Sequence, residues 1–112
     1  MPKMIGTPAG TRDRLFAECA SFRRVQQALT GFWARMGYSE LMTPEVEDYD
    51  TMLRSGSPLP QEAMYKLVDR TGRLLVLRPD NTAPVARVAA TKLQTLPGPQ
   101  RLFYNQTVFR CD

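Results

Sequence analysis

The sequence contains no histidine, and this absence limits the chemistry that the chain can perform. Without histidine there is no Ser-His or Cys-His nucleophile, no histidine general base and no histidine metal ligand. The two cysteines, Cys19 and Cys111, are too few and too far apart for a disulfide framework or a zinc site. Cys19 falls on the apolar stripe of a predicted helix, where we expect it to pack in a core. We therefore predict no catalytic residue and no metal site, and a chain that shapes a pocket or an interface.

The sequence also lacks long apolar runs. No stretch approaches the roughly 20 apolar residues that span a bilayer, and the N-terminus has no apolar run of signal-peptide length. A cytoplasmic protein without a membrane partner is the resulting expectation.

The 112 residues, 43% hydrophobic and 23% charged, are typical of one small globular domain with its own core. The net charge of +4 leaves nucleic acid open as a partner, but the scattered basic residues are explained more simply by a solvated helix surface.

The hydrophobic pattern predicts a long amphipathic helix near the start of the chain. Between about residues 13 and 36, apolar side chains recur at three- and four-residue steps. Thr11 and Asp13 can cap the start of this helix, and Gly37 can end it in a left-handed conformation.

The remainder of the chain is predicted to alternate strands with shorter helices. Pro44 lacks an N–H donor and restricts its strand to a sheet edge or a special pairing. The helix near residue 82 is expected to bury Val85, Val88, Ala89 and Leu93. In order, the predicted elements are a strand over 38–47, a short helix over 50–54, a hairpin of 64–69 and 73–78, a helix from about 82, and a strand over 101–110.

Four segments, taken in order, carry a resemblance: Pro8–Asp13, the long helix with Gly37–Pro44, Met64–Asp80, and Val108–Asp112. They resemble, respectively, the family start, motif 1, a hairpin leading to an Arg-Pro-Glu-Gly-Thr signature, and the opening of motif 2 in class II aminoacyl-tRNA synthetases of the histidyl type. The resemblance implies an α+β fold with a mostly antiparallel sheet flanked by helices. It also implies that residues 1–112 are the N-terminal part of such a catalytic domain, from motif 1 to the start of motif 2, with the sheet incomplete.

Two departures from the synthetase pattern favour another branch of this family. Arg78–Thr82 reads Arg-Pro-Asp-Asn-Thr instead of Arg-Pro-Glu-Gly-Thr, and Phe109–Asp112 reads Phe-Arg-Cys-Asp instead of Phe-Arg-Tyr-Glu. The first departure, with segments 86–91 and 97–99, resembles the regulatory subunits of ATP phosphoribosyltransferase, which do not charge tRNA. That resemblance implies a short-form catalytic subunit as partner and free histidine as feedback effector in the first step of histidine biosynthesis.

Two other interpretations stay open. The chain is alternatively a fragment of a histidyl-tRNA synthetase, which activates histidine with ATP and charges tRNA. A synthetase-like orphan paralogue shares the fold, but no feature of the sequence favours it.

The resemblance implies a ligand role for three residues and no cofactor. Asp80 matches the glutamate that holds the α-ammonium group of histidine, and Thr82 matches a threonine that can add a hydroxyl contact. Each can instead serve only as a helix cap. Arg110 matches the motif 2 arginine that binds the α-phosphate of ATP. In a protein that is not a synthetase, an ordinary strand-end arginine that faces Asp112 or solvent is the favoured alternative.

The resemblance also places a subunit contact in the motif 1 region, and a homo-oligomer is therefore expected. Pro44 and the Leu41-Met42 pair are the predicted contact residues. Arg78 is expected to brace the turn or an acidic neighbour.

Overall fold

The protein is represented by a computed structural model that describes residues 5–56 and 59–111. The chain divides into two compact units, Met1–Tyr38 and Ser39–Asp112. Within the described part, no helix is long and apolar enough to cross a membrane. The elements are α1 (Phe16–Arg35), β1 (Ser39–Glu40), β2 (Val46–Asp48), α2 (Tyr49–Arg54), a 3-10 turn (Gln61–Ala63), β3 (Lys66–Val68), β4 (Leu74–Leu77), α3 (Thr82–Thr91) and β5 (Leu102–Phe103).

The first unit contains the predicted long helix, α1. Its C-terminal end is as expected, because Gly37 adopts a left-handed φ of 87° directly after the helix. The predicted capping of its start is wrong: Leu15 is the N-cap and makes no side-chain cap bond. The Thr11 hydroxyl donates to the Pro8 carbonyl instead, which closes a local turn before the helix.

The apolar stripe of α1 is exposed, since no residue of this helix is buried. Val25 and Leu29 are 59% and 55% exposed. The prediction that Cys19 packs in a core is therefore wrong, because its side chain is exposed. The amphipathic pattern correctly indicated a helix, but it could not indicate what covers the apolar side.

The second unit is built around a small antiparallel sheet with strand order β2-β4-β3. The predicted hairpin is confirmed, since Lys66, Leu67 and Val68 pair with Val76, Leu75 and Leu74. A second, two-stranded sheet joins β1 and β5 in parallel. The α+β class predicted from the sequence is confirmed.

A carboxylate stabilises the hairpin turn between β3 and β4. The Asp69 carboxylate accepts hydrogen bonds from the Thr71 hydroxyl and backbone N–H and from the Arg73 N–H. These bonds, the Thr71 hydroxyl first among them, lower the pKa of Asp69 below its ordinary value.

Two predicted strands differ from the structure. The strand expected over 38–47 is divided into β1 and β2, and Pro44 lies between them, where no ladder donor is needed. The strand expected over 101–110 ends at Phe103. Beyond it, backbone N–H groups bind carbonyls outside the strands: Phe109 donates to Arg78 and Cys111 donates to Ala63.

The core of the second unit is formed by Met52, Met64, Val76 and Ala83, with Tyr49 packed against them. Ala83 and Pro84, in the first turn of α3, are its buried residues. The prediction that Val85, Val88, Ala89 and Leu93 form the buried side is therefore wrong, since all four are only half-buried. Helix α3 contacts the core by its N-terminal turn, and an Arg87–Glu47 ion pair of 3.0 Å holds it against β2.

Candidate functional site

The candidate site centres on the turn between β4 and α3, where Arg78-Pro79-Asp80-Asn81-Thr82 connects a strand to a helix start. One oxygen of the Asp80 carboxylate accepts the Thr82 backbone N–H at 2.8 Å. This bond satisfies one of the free N–H groups of the first helical turn. Asp80 is half-buried and the Thr82 side chain is exposed. Within the described ranges, Asp80 forms no ion pair. Its negative charge is thus not neutralised by a basic side chain of the described residues.

Arg78 is a buried brace, as the sequence predicted, although it binds carbonyls and not an acid. It is only 5% exposed. Its Nε donates to the Thr107 carbonyl at 2.6 Å, and its Nη1 donates to the Thr43 carbonyl at 3.0 Å. A planar guanidinium can hold two backbone segments at once because its donors are fixed in a fork. Arg78 therefore joins the end of the predicted motif 1 to the segment that enters the predicted motif 2.

Arg110 lies beside the same turn. Its Nε donates to the Pro79 carbonyl at 3.0 Å, and the preceding Phe109 N–H donates to the Arg78 carbonyl at 2.9 Å. The residue that Arg110 contacts immediately precedes Asp80. The structure therefore brings together two site residues that are 30 positions apart in the sequence. The alternative contact of Arg110 with Asp112 lies outside the described residues.

Two amide side chains, which sequence reasoning missed, complete the site. Gln106 Oε1 accepts the Thr43 backbone N–H at 2.6 Å, and Gln106 Nε2 donates to Asn81 Oδ1 at 2.9 Å. Asn81 Nδ2 in turn donates to the Gln106 carbonyl at 3.2 Å. No spacing in the sequence indicated these contacts, because they join residues 25 and 63 positions apart.

The predicted subunit contact lies next to this network. Met42 is 81% exposed, Pro44 is exposed and Leu41 is half-buried, whereas Thr43 between them is 7% exposed. The Leu41 backbone N–H donates to the Phe103 carbonyl at 3.2 Å, which continues the β1–β5 pairing. Thr43 therefore faces the site, whereas its apolar neighbour Met42 lies on the outer side of the segment.

In chemical terms, the site places an anion and a cation on adjoining segments. The Asp80 carboxylate can accept hydrogen bonds from an ammonium group, and the Arg110 guanidinium can bind a carboxylate or phosphate.

Comparisons with known proteins show which family the chain resembles. The family described as histidyl-tRNA synthetase matches residues 10–112. An ATP phosphoribosyltransferase regulatory subunit of Clostridium acetobutylicum is 44% identical over 105 residues, which are 94% of this chain and 26% of that relative. The chain thus spans about a quarter of the length of the curated relatives it matches.

Solved structures share the fold. A Bacillus halodurans structure described as an ATP phosphoribosyltransferase regulatory subunit/histidyl-tRNA synthetase has a TM-score of 0.84 at 35% identity, over 98% of this chain and 29% of that one. The apo histidyl-tRNA synthetase of S. aureus has a TM-score of 0.80 at 32% identity, over 96% and 30%.

These likenesses define the class of protein: the chain has the fold of a class II aminoacyl-tRNA synthetase core. It belongs to the histidyl-tRNA synthetase family. The resemblance to regulatory subunits of ATP phosphoribosyltransferase that the sequence indicated is also confirmed, because several curated relatives at 43–44% identity carry that name.

Proposed function

We propose that the protein is a regulatory subunit of ATP phosphoribosyltransferase that works with a short-form catalytic subunit in the first step of histidine biosynthesis. On this proposal it catalyses no reaction of its own, does not charge tRNA, acts in the cytoplasm and responds to free histidine. Residues 1–112 form the N-terminal part of its class II synthetase-like domain, from motif 1 to the start of motif 2.

The observation that carries this proposal is the identity of 44% to a regulatory subunit over nearly the whole chain. The backbone conformation of the turn beside Asp80 also supports the regulatory proposal. Asn81 occupies the position at which the synthetase signature has glycine, and its φ of −91° is open to any residue. Glycine is thus not required by the backbone here, and the asparagine side chain forms two hydrogen bonds with Gln106.

A histidyl-tRNA synthetase is the second candidate, and one observation favours it. The S. aureus synthetase superposes over nearly the whole chain. Arg110 stands at the position of the motif 2 arginine that binds ATP in such enzymes. This candidate predicts histidine-dependent exchange of pyrophosphate with ATP, which the regulatory proposal excludes.

The proposed effector site consists of Asp80 and Thr82, with Arg110 beside them. Asp80 would accept a hydrogen bond from the α-ammonium group of histidine. The acceptor would be the carboxylate oxygen that does not bind the Thr82 N–H. The Thr82 hydroxyl is exposed and can donate or accept a further bond. Arg110 would bind the carboxylate of the amino acid or a phosphate of another ligand.

Thermal unfolding of the full-length protein with millimolar histidine tests this site. A ligand that binds only the folded state stabilises it by about 2.7 kcal/mol at one hundred times its dissociation constant. We expect an upward shift in Tm that Asp80→Ala reduces and that Asp50→Ala, on the exposed side of α2, does not.

Pyrophosphate exchange tests the choice between the two candidate functions. Robust histidine-dependent pyrophosphate exchange would overturn the regulatory proposal and restore the synthetase.

A further inference from the structure

Three polar side chains from separate segments form one connected chain of hydrogen bonds. Thr43 follows β1, Asn81 precedes α3, and Gln106 follows β5. Gln106 binds the Thr43 N–H and hydroxyl on one side and the Asn81 amide on the other. Thr43 is 7% exposed, and Gln106 and Asn81 are half-buried, so water competes little for these bonds.

The orientation of both amides follows from the backbone. The Thr43 backbone N–H can only donate, so the Gln106 atom that faces it must be the oxygen. Gln106 Nε2 therefore faces Asn81, and the Asn81 atom that receives it must be Oδ1. Asn81 Nδ2 is then left to donate to the Gln106 carbonyl, as observed. Flipping either amide would break at least two bonds, so the arrangement has one self-consistent solution.

This chain of hydrogen bonds joins the proposed effector residues to the proposed subunit contact. Asn81 lies between Asp80 and Thr82, the proposed effector residues. Thr43 lies between Met42 and Pro44, the proposed subunit contact. We propose that Gln106 is a positioning residue that couples the Asp80–Thr82 turn to the Leu41–Pro44 segment. A change at either end moves the amide of Gln106 and so alters the other end.

The coupling to histidine rests on the proposed function, whereas the mechanical link does not. A ligand affects a distant contact only if it favours one arrangement of the connecting element over another. Gln106 is such an element. Its side-chain amide can form its hydrogen bonds to both Thr43 and Asn81 only when both residues occupy the positions seen in the structure.

Gln106→Glu weakens the link. Glutamate keeps an oxygen that accepts from Thr43, but it places a second acceptor against the acceptor Oδ1 of Asn81. Asn81 can turn its Nδ2 towards that oxygen only by giving up its bond to the backbone carbonyl at position 106. Gln100→Glu is the matched control, because it makes the same chemical change at an exposed residue with only a weak 3.5 Å contact to Gly98. Asn81→Ala removes the link from the opposite end without adding charge.

Hydrogen exchange followed by mass spectrometry in the full-length protein tests the link without any ligand. In Gln106→Glu, the amides of residues 81–83 and 85 should exchange about tenfold faster, the change expected for a lost hydrogen bond. In Asn81→Ala, the amides of residues 41–43 should accelerate similarly. The β3–β4 hairpin and the Gln100→Glu control should be unchanged. The proposal is overturned if each variant affects only its own segment, or if the hairpin accelerates equally and reveals general loosening.

Histidine titration of the same variants separates the two proposals. We expect the Kd for histidine to rise about tenfold in Gln106→Glu and to stay constant in Gln100→Glu. If the unaltered protein does not bind histidine, the proposal that histidine is the effector fails. The hydrogen-exchange data still test whether Gln106 couples the two segments. If histidine binds equally to all variants and exchange at each far segment is unchanged, Gln106 has no positioning role.

Discussion

The two units of the chain use their apolar residues in opposite ways. In Ser39–Asp112, Met52 and Val76 are 1% and 0% exposed and form a continuous core with Met64 and Ala83. In Met1–Tyr38, the longest helix of the described chain has no buried residue, although apolar side chains recur along it at helical spacing. Hydrophobic periodicity therefore reports which side of an element is apolar, and not whether the same chain covers that side.

The largest expected effect tests this contrast directly. Met52→Ala should lower the free energy of unfolding by about 2–5 kcal/mol, because it opens a cavity in the core. Leu29→Ala, on a helix position that is 55% exposed, should change it by no more than about 0.5 kcal/mol. Urea unfolding of the 112-residue chain at low concentration, followed by circular dichroism, measures both. An equal cost for Leu29→Ala would mean that the helix face is covered in solution.

Self-association gives the next largest effect, and it concerns the apolar residues of the proposed contact. If Met42 is buried between subunits, Met42→Glu should remove about 1.5–3 kcal/mol of apolar burial and raise the dimer Kd roughly 10- to 100-fold. Val68→Glu makes a comparable change in β3, where the side chain is 65% exposed, and should leave association unaltered. Light scattering over a concentration series measures both. A protein that is strictly monomeric at high micromolar concentration contradicts the proposed contact.

The smallest expected effect lies in the hairpin turn. The pKa of Asp69 is below its ordinary value in the folded state, so its contribution to stability is present above the unfolded pKa and is lost as pH falls through the folded one. Thr71→Val removes the largest cause and should raise the Asp69 pKa towards its ordinary value. Thr91→Val, which removes a hydroxyl bond within α3, should not. Carboxyl NMR titration reads the pKa, and an Asp69 pKa at or above its ordinary value would contradict the turn geometry.

Much of the fold was predictable because it depends on local chemistry. Gly37 ends α1 in the conformation that glycine favours, and Asp69 and Gly72 form the tight turn expected from their residue types. The hairpin follows from two apolar runs around that turn. The division of the strand at Pro44 was not predicted, although the missing N–H that the sequence showed there is consistent with it.

The parts that were not predictable depend on partners distant in sequence. The segment after Phe103 has strand-like composition, yet its N–H groups bind the carbonyls of Arg78 and Ala63. Asp80 and Arg110 were identified from motif resemblance, but the bond from Arg110 to the Pro79 carbonyl, next to Asp80, joins residues too far apart in the sequence to be predicted. Gln106 carried no signal at all, because an amide in a polar segment is compatible with many roles.

The first and second units also differ in what they contribute to the functional account. The contacts that organise the candidate site, from Thr43 to Arg110, all lie in the second unit. The first unit contributes an apolar helix surface and no member of the proposed effector site. We therefore expect substitutions of the site residues Asp80 and Gln106 to affect histidine binding, and substitutions on the exposed face of α1 to leave it unchanged.

Reconstitution with the partner tests the central claim most directly. The full-length protein is mixed with a short-form ATP phosphoribosyltransferase catalytic subunit, and the rate of ATP phosphoribosylation is measured with and without histidine. The account predicts that the mixture is more active than the catalytic subunit alone and that histidine suppresses the gain, less effectively when Asp80→Ala is present. A protein that neither co-purifies with the catalytic subunit nor changes its rate would contradict the regulatory function.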